Sequence, residues 1–210
     1  MQKNMKIKNI LFFLLLIFLY PCLAVAAPGP MEYVQASTEK VLSILNSSEG
    51  DKDSKWQQIS AVIYERFDIQ SMSQSILATN WKSATPEERR QFVDYLSQYI
   101  ESTYRSKIEA YTNQKVQYLG ETINGDRAVV VTAIQTDETD IPVNYKMKKN
   151  NDEWFVYDVV IEGVSMINSY RRTFSTIVKN EGMDGLLLDI EQRIQRHKEA
   201  EAAGTDQAAE

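Results

Sequence analysis

The segment 115–161 constrains the fold most, because it contains four successive strand patterns separated by turns. The first strand ends at an Asn-Gly-Asp sequence at 124–126, which is typical of a tight hairpin, and a β-branched run follows at 128–134. Apolar and polar residues then alternate over 141–148, as they do in a strand with one buried face. A nearly continuous apolar stretch at 154–161 completes the set. The pattern predicts a four-stranded antiparallel meander.

Helical patterns precede the strands. Apolar residues spaced by three and four predict helices over 31–46 and 56–67, and Asp68 is placed to cap a short helix after them. The clearest helix start is the sequence Thr-Pro-Glu-Glu at 85–88. An N-cap threonine, a proline at the first helical position and a glutamate at the third form a capping box there.

A long amphipathic helix is predicted from this capping box to about Tyr111, with a wide aromatic buried side. Two more helices are predicted after the strands, at about 165–179 and 184–195. Strands grouped between helices indicate an α+β fold. We therefore expect a single domain in which helices pack on a curved, four-stranded antiparallel sheet.

The N-terminus predicts export. Three lysines precede an apolar run at 10–19, and an Ala-Val-Ala sequence at 24–26 provides a cleavage site. The run is about half of the roughly 20 residues that a membrane-spanning helix needs. We therefore predict that residues 1–26 are a cleaved signal peptide. Cys22 follows Tyr-Pro rather than small residues, which argues against a lipidated cysteine and leaves the mature chain without a thiol.

The mature chain is expected to consist of one domain at 27–197 and a disordered polar tail at 198–210. The whole chain has a formal net charge of −6, and the predicted signal peptide holds three lysines and no acidic residue. The mature protein is therefore more acidic still. Such a surface disfavours binding to nucleic acid and to anionic lipid surfaces.

The mature chain has few residues suited to catalysis. Its only histidine, His197, lies at the edge of the predicted tail, so neither a Ser-His-Asp site nor a histidine-rich metal site can be built. We predict no catalytic residue, metal or cofactor. One alternative is a small-molecule enzyme of a cone-shaped α+β fold that uses Asp158 as a base in an apolar pocket, with Tyr145 or Tyr157 as its partner. A structural adaptor with a fully packed core is a third possibility.

Four stretches of the chain share their pattern with one known family. The sequence at 81–89 is similar to the start of that family's long helix, 170–174 is similar to a later helix, and 182–186 is similar to its usual ending. The fourth stretch is 154–167, where a strand with Tyr-Asp continues into Glu-Gly-Val-Ser and a helix, and its part 158–165 is the most specific. Over roughly 30–196 the chain thus resembles the MlaC (toluene-tolerance) family of periplasmic phospholipid-binding proteins. One departure is Ala78, where the family often has glycine; if that glycine serves a close backbone approach, the local bend here differs.

The resemblance implies an apolar cavity between the sheet and the helices, which takes the acyl tails and leaves the headgroup near solvent. We assign to this cavity the apolar residues of the long helix, the strands and their neighbours: Trp81, Phe92, Leu96, Tyr99, Ile100, Tyr104, Val131, Val143, Tyr145, Tyr157, Val159, Ile161 and Val164. Arg171 is the candidate for a headgroup contact at the cavity mouth. The alternative for the apolar residues is that they form an ordinary packed core. The alternative for Arg171 is that it lies on a solvated helix face.

The resemblance also implies a role and partners. The protein would be the soluble, monomeric periplasmic carrier of a lipid-asymmetry ABC transport system, moving phospholipid between an outer-membrane lipoprotein complex and an inner-membrane transporter ring. Such a carrier must cover its cargo, because each methylene left in water costs about 0.8 kcal/mol. A cavity of roughly 1,000 Å³, at the upper end of the usual range, is therefore expected.

Overall fold

Five helices, a five-stranded sheet and a sixth helix follow one another in the part of the chain that the structure describes. This computed structural model describes residues 27–111, 115–136 and 139–203. Residues 1–26, which carry the predicted signal peptide, lie outside it. In chain order the elements are α1 (Pro30–Asn46), α2 (Lys52–Arg66), α3 (Ile69–Leu77), α4 (Thr79–Ser83), α5 (Pro86–Glu109), β1 (Lys115–Asn124), β2 (Arg127–Gln135), β3 (Asp140–Asn150), β4 (Glu153–Ile161), β5 (Val164–Ser165) and α6 (Met166–Ala202).

The sheet is an antiparallel meander in the order β1-β2-β3-β4-β5, which confirms the predicted α+β architecture. Asn151 and Asp152 have φ of 47° and 65°, as a tight primed turn between β3 and β4 requires. The strand that the sequence did not predict is the two-residue β5. It forms because Glu162 and Gly163, with φ of 50° and 81°, turn the chain back onto β4.

Two irregularities bend the sheet. The pairing of β1 with β2 shifts register between Tyr118 and Gly120, and that of β3 with β4 shifts between Lys146 and Met147. An extra residue on one strand bends that strand and increases its local twist. The sheet is therefore curved, and its inner face is turned toward the helices.

The start of α5 has the predicted capping box. The backbone N–H of Glu88 donates to the Thr85 hydroxyl at 3.2 Å, and the backbone N–H of Thr85 donates to the Glu88 carboxylate at 2.6 Å. Hydrogen bonds to its carboxylate from the Thr85 side chain and from the Thr85 backbone N–H lower the pKa of Glu88 below its ordinary value. Asp68 caps α3 in the predicted way, because its carboxylate accepts from the N–H of Ser71 at 2.9 Å. Local polar side chains thus fix where these helices begin.

Helix α6 contains the predicted break and extends further than predicted. Gly182, at φ 74° and ψ −172°, interrupts its helical geometry between the two helices expected from the sequence. The helix then continues to Ala202, so residues 198–202 are helical where a disordered tail was expected; residues 204–210 lie outside the described part. His197 is held in place as well, because its ring stacks on Tyr99 at 5.6 Å and its Nδ1 lies 3.0 Å from the Ser102 hydroxyl.

The tightly packed half of the molecule lies between α3, α5, α6 and the sheet. Phe92 of α5 meets Phe174 of α6 edge to face, with ring centroids 6.0 Å apart, and both rings are buried. Leu96, Leu186 and Ile190 fill the same core. The other half, between α1, α2 and the sheet, is filled less completely. None of the described helices is long and apolar enough to span a bilayer.

Ala78, between α3 and α4, adopts a backbone conformation that favours glycine. Its φ is 51° and its ψ is −115°, where an L side chain is strained by about 1–3 kcal/mol. Glycine would adopt this conformation without that strain. We expect Ala78→Gly to raise the free energy of unfolding by about 1 kcal/mol, as measured by urea denaturation. Ala110→Gly, at an ordinary φ of −73°, should not stabilise the protein, and an equal gain in both variants would contradict the explanation.

Candidate functional site

Two neighbouring cavities lie between the helices and the sheet. Residues of α1, α2, α5 and the sheet line the larger one, and residues of α2, α5 and the sheet form most of the smaller one. Their volumes are about 590 Å³ and about 220 Å³. The larger one is walled on one side by residues of α1, which recur at helical spacing: Val34, Ser37, Thr38, Val41, Leu42 and Leu45. Only Pro30 and Val34 of α1 are fully buried. The rest of its apolar face therefore borders a hollow instead of a packed core.

The two cavities share one wall made of side chains. The residues that line both are Ile63, Phe67, Tyr104, Ile108, Ile134, Val143, Tyr145 and Ile161. These side chains come from α2, the turn after it, α5 and the sheet. The two cavities therefore adjoin each other along these residues.

Tyrosines supply most of the polar atoms of this shared wall. Burial raises the pKa of Tyr145 to about 12, and burial also raises the pKa of Tyr104. Both hydroxyls therefore stay neutral and protonated at physiological pH. A neutral hydroxyl at the edge of an apolar space can donate to a carbonyl without adding a charge that repels alkyl groups.

A polar cluster ties α2 to α5 at the smaller cavity. The indole N–H of Trp56, the hydroxyl of Ser60 (3.1 Å) and the hydroxyl of Tyr64 (2.6 Å) all donate to the carboxylate of Glu101. Burial, followed by the bond to Glu101, raises the pKa of Tyr64 to about 12. The carboxylate is thus compensated by three donors, which hold the two helices at a fixed spacing beside the hollow.

Some of the residues that the sequence assigned to a cavity do line one. Tyr104, Val143, Tyr145 and Ile161 line both cavities, and Ile100 and Val159 line the smaller one. Phe92, Leu96 and Tyr99 instead pack in the core against α6. The aromatic side of α5 is thus divided along its length, with its first half in the core and its second half at the cavities.

The remaining assigned residues lie elsewhere. Val131 alternates with the inward Val130 and Thr132, so it faces away from the cavities, and Tyr157 lies under the guanidinium of Arg127 at 4.7 Å.

Trp81 packs beneath Arg89 at 5.5 Å, and Val164 is 55% exposed in β5. Arg171 donates from its Nε to the backbone carbonyl of Ser75 at 2.8 Å, which fastens α6 to α3. Trp81, Val164 and Arg171 are therefore absent from the lining of both cavities, as are Val131 and Tyr157.

The sequence prediction missed the contribution of α1 and α2 to the cavities. Its assigned residues include none from 30–77, although the helical spacing of Val34, Val41, Leu42 and Leu45 is visible in the chain. That spacing identifies an apolar helix face. It does not say whether the face meets side chains or a space, so the available signal was ambiguous.

Asp158 takes part in a structural network and lines neither cavity. Its carboxylate accepts from Lys146 Nζ at 3.0 Å, from the Ser165 hydroxyl at 2.8 Å and from the backbone N–H of Ile167 at 3.2 Å. These bonds join β3, β4 and the start of α6. The geometry does not favour the alternative in which Asp158 is a base in an apolar pocket. Within the described ranges, no group of His, Cys, Asp and Glu side chains is arranged to hold a metal ion.

Comparison with known proteins identifies relatives along most of the chain. The family model of the MlaC protein matches residues 35–192. The intermembrane phospholipid transport system binding protein MlaC of Haemophilus influenzae is 26% identical over 194 residues, which cover 88% of this chain and 91% of that protein. The toluene tolerance protein ttg2D of Pseudomonas putida is 24% identical over 178 residues, covering 81% and 83% of the two chains.

A solved structure shares the fold. The phospholipid-binding protein from Ralstonia solanacearum, determined in complex with a phospholipid, aligns with a TM-score of 0.74 and 23% sequence identity. The alignment covers 81% of this chain and 99% of that one. The family match itself begins within α1 and ends within α6, so it includes every element that surrounds the two cavities. The chain belongs to the MlaC family.

Proposed function

We propose that this protein is a phospholipid carrier that holds acyl tails in the two cavities. The observation that carries the proposal is the hollow itself. Although the first half of α5 packs tightly against α6, spaces of about 590 Å³ and about 220 Å³ remain beside α2, the second half of α5 and the sheet, and α1 borders the larger one. Apolar side chains line most of this space, while the charged lining residues are Arg66, Lys107 and Glu162 in the larger cavity and Glu101 in the smaller one. Such a lining suits hydrocarbon and offers little to a polar metabolite.

The volumes indicate how the tails are held. Together the cavities are smaller than the roughly 1,000 Å³ expected for covering two full tails. Each methylene left in water costs about 0.8 kcal/mol, so a carrier gains by enlarging the space to cover more of the chain. We infer that the side chains of the shared wall, Phe67 and Tyr104 among them, rotate to join the cavities when lipid enters.

The family supports a role in transport. Its Haemophilus relative is named as the binding protein of an intermembrane phospholipid transport system. We propose that this chain likewise carries phospholipid between the outer and inner membranes, between a lipoprotein complex on one side and an ABC transporter ring on the other. It would act as a monomer in the periplasm after its signal peptide is removed. The acidic surface favours this role, because it limits adhesion to anionic membranes.

Lipid extraction tests the carrier function. We expect mature protein made in bacteria, residues 27–210, to release intact phospholipid into an organic extract, detectable by mass spectrometry. Protein stripped of lipid should also take up phospholipid from vesicles and remain monomeric. Extract from an unrelated exported protein purified in the same way is the control. A preparation that contains no lipid and takes up none from vesicles would contradict the proposal.

A further inference from the structure

Arg66 is one of three charged residues in the lining of the larger, mostly apolar cavity, with Lys107 and Glu162. It is the last residue of α2 and contributes to the wall of the 590 Å³ space. Its side chain is only 11% exposed. Taking a guanidinium out of water is unfavourable unless its N–H groups find acceptors. The bonding of each nitrogen therefore indicates what the residue does.

Two aromatic rings fix the orientation of this guanidinium. Its central carbon lies 4.5 Å from the ring centroid of Tyr33 in α1 and 5.7 Å from that of Phe155 in β4. Such contacts hold the planar group by its faces and leave its edges available for hydrogen bonds. The side chain is thus held in place before any ligand binds.

The hydrogen bonds of Arg66 are incomplete. One terminal nitrogen, Nη2, donates to Glu65 at 2.8 Å, but Glu65 is 60% exposed and adjacent in sequence. The other, Nη1, is buried and has no hydrogen-bond acceptor among the described residues. Buried polar groups in folded proteins nearly always have partners, so Nη1 is available to donate to an acceptor on a bound molecule. The dipole of α2 favours a cation at its C-terminal end, where Arg66 lies, but this does not explain why Nη1 is buried without an acceptor.

Other cations near the site do not share these properties. Lys107 lines the same cavity but is exposed to solvent. Arg171 is already bonded to the Ser75 carbonyl and lies outside the lining. Arg89 also packs on an aromatic ring and has a buried unpaired nitrogen, Nε, but it lines neither cavity. Arg89 therefore serves as a matched control.

We propose that Arg66 binds the phosphodiester of the carried phospholipid, with Nη1 donating to a non-bridging oxygen. This inference rests on the proposed carrier function and adds the residue that recognises the headgroup. A guanidinium prefers the oxygens of phosphate and carboxylate groups, and a phosphodiester is the anion that every common phospholipid carries next to its tails. The Arg66 partner Glu65 is 60% exposed, so this end of the cavity lies near solvent, and the tails would extend from Arg66 into the larger cavity.

The test compares two lipids with identical tails, phosphatidylglycerol and uncharged diacylglycerol, in stripped mature protein. We expect the wild-type protein to prefer the phospholipid. Arg66→Gln should reduce that preference by about ten- to hundredfold, because a charge-assisted hydrogen bond is lost, with little change in diacylglycerol affinity. Arg89→Gln should keep the wild-type preference. Equal weakening of both lipids by Arg66→Gln, or no change in either, would overturn the assignment.

Two further measurements separate the remaining explanations. Oleate carries a carboxylate in place of a phosphate. If Arg66→Gln loses oleate binding but keeps phospholipid binding, Arg66 recognises a carboxylate and the proposal is refuted. Arg66→Lys keeps the positive charge, so it provides a second variant if Arg66→Gln does not fold. We expect Arg66→Lys to shift the phosphorus-31 resonance of bound phosphatidylglycerol, and an unchanged resonance would argue against a contact between this side chain and the phosphate. If wild-type protein binds none of these lipids, the carrier function itself fails. If it binds them and Arg66 has no effect, only this inference fails.

Discussion

Replacement of Val143 by tryptophan is expected to abolish phospholipid binding and to leave the protein folded. The Val143 side chain lies on the inner face of β3 and lines both cavities. An indole at this position fills space that the acyl tails would occupy. Exclusion of even two methylenes costs about 1.6 kcal/mol, which is about tenfold in affinity, and an indole excludes more. The larger side chain enters a hollow, so it avoids the strain of overpacking a dense core.

Val131→Trp is the matched control for this experiment. Val131 lies on β2 opposite Asn144, the neighbour of Val143 along β3, but faces away from the cavities. The same chemical change on the other face of the sheet should leave lipid binding near its wild-type level. The measurement is phospholipid recovered per protein after exposure to vesicles, with circular dichroism to check folding. If the two variants lose binding equally, or Val143→Trp binds normally, the tails do not occupy these cavities.

Asp158→Ala is expected to lower the free energy of unfolding by about 3 kcal/mol. The substitution leaves the Ser165 hydroxyl and the Ile167 N–H without their acceptor and Lys146 without its counter-ion. Breaking a buried ion pair typically costs 3–5 kcal/mol, and the lower end applies because Lys146 is 35% exposed. For a protein of this size, the melting temperature should fall by about 6–12 °C.

Asp140→Ala provides the comparison for Asp158. Asp140 is an exposed aspartate at the start of β3, and its replacement should change stability by no more than about 0.5 kcal/mol. Urea denaturation of the lipid-free variants measures both effects. Asp158→Ala with wild-type stability would show that the network between β3, β4 and α6 contributes nothing. That outcome would reopen the possibility of a chemical role for the carboxylate.

Local features of the fold could be predicted from the sequence because their causes are local. The capping box at Thr85, the cap at Asp68 and the break at Gly182 each depend on a few adjacent residues, and each is present in the structure. The alternation over 141–148 likewise reports which side of β3 is buried. These signals need no knowledge of what packs on the element.

The lining of the cavities could be predicted only in part, because packing partners decide it. In the run 128–134 both faces of β2 are largely apolar, so the sequence does not distinguish inward Val130 from outward Val131. Tyr157 adjoins a bulge, which interrupts the alternation of β4. In α5 one continuous apolar side packs against α6 at Phe92 and borders the hollow at Tyr104. Only the position of α6 reveals that division.

The sparse burial of α1 has a consequence for how folding and loading are linked. Most of its apolar face borders the hollow, so acyl tails in the cavity would complete the hydrophobic core that this helix lacks. Cargo then acts as a structural component, and its binding free energy adds to the stability of the fold by mass action. On the proposed function, release of the lipid would weaken the attachment of α1. A membrane partner could therefore unload the protein by pulling on this helix without touching the lipid.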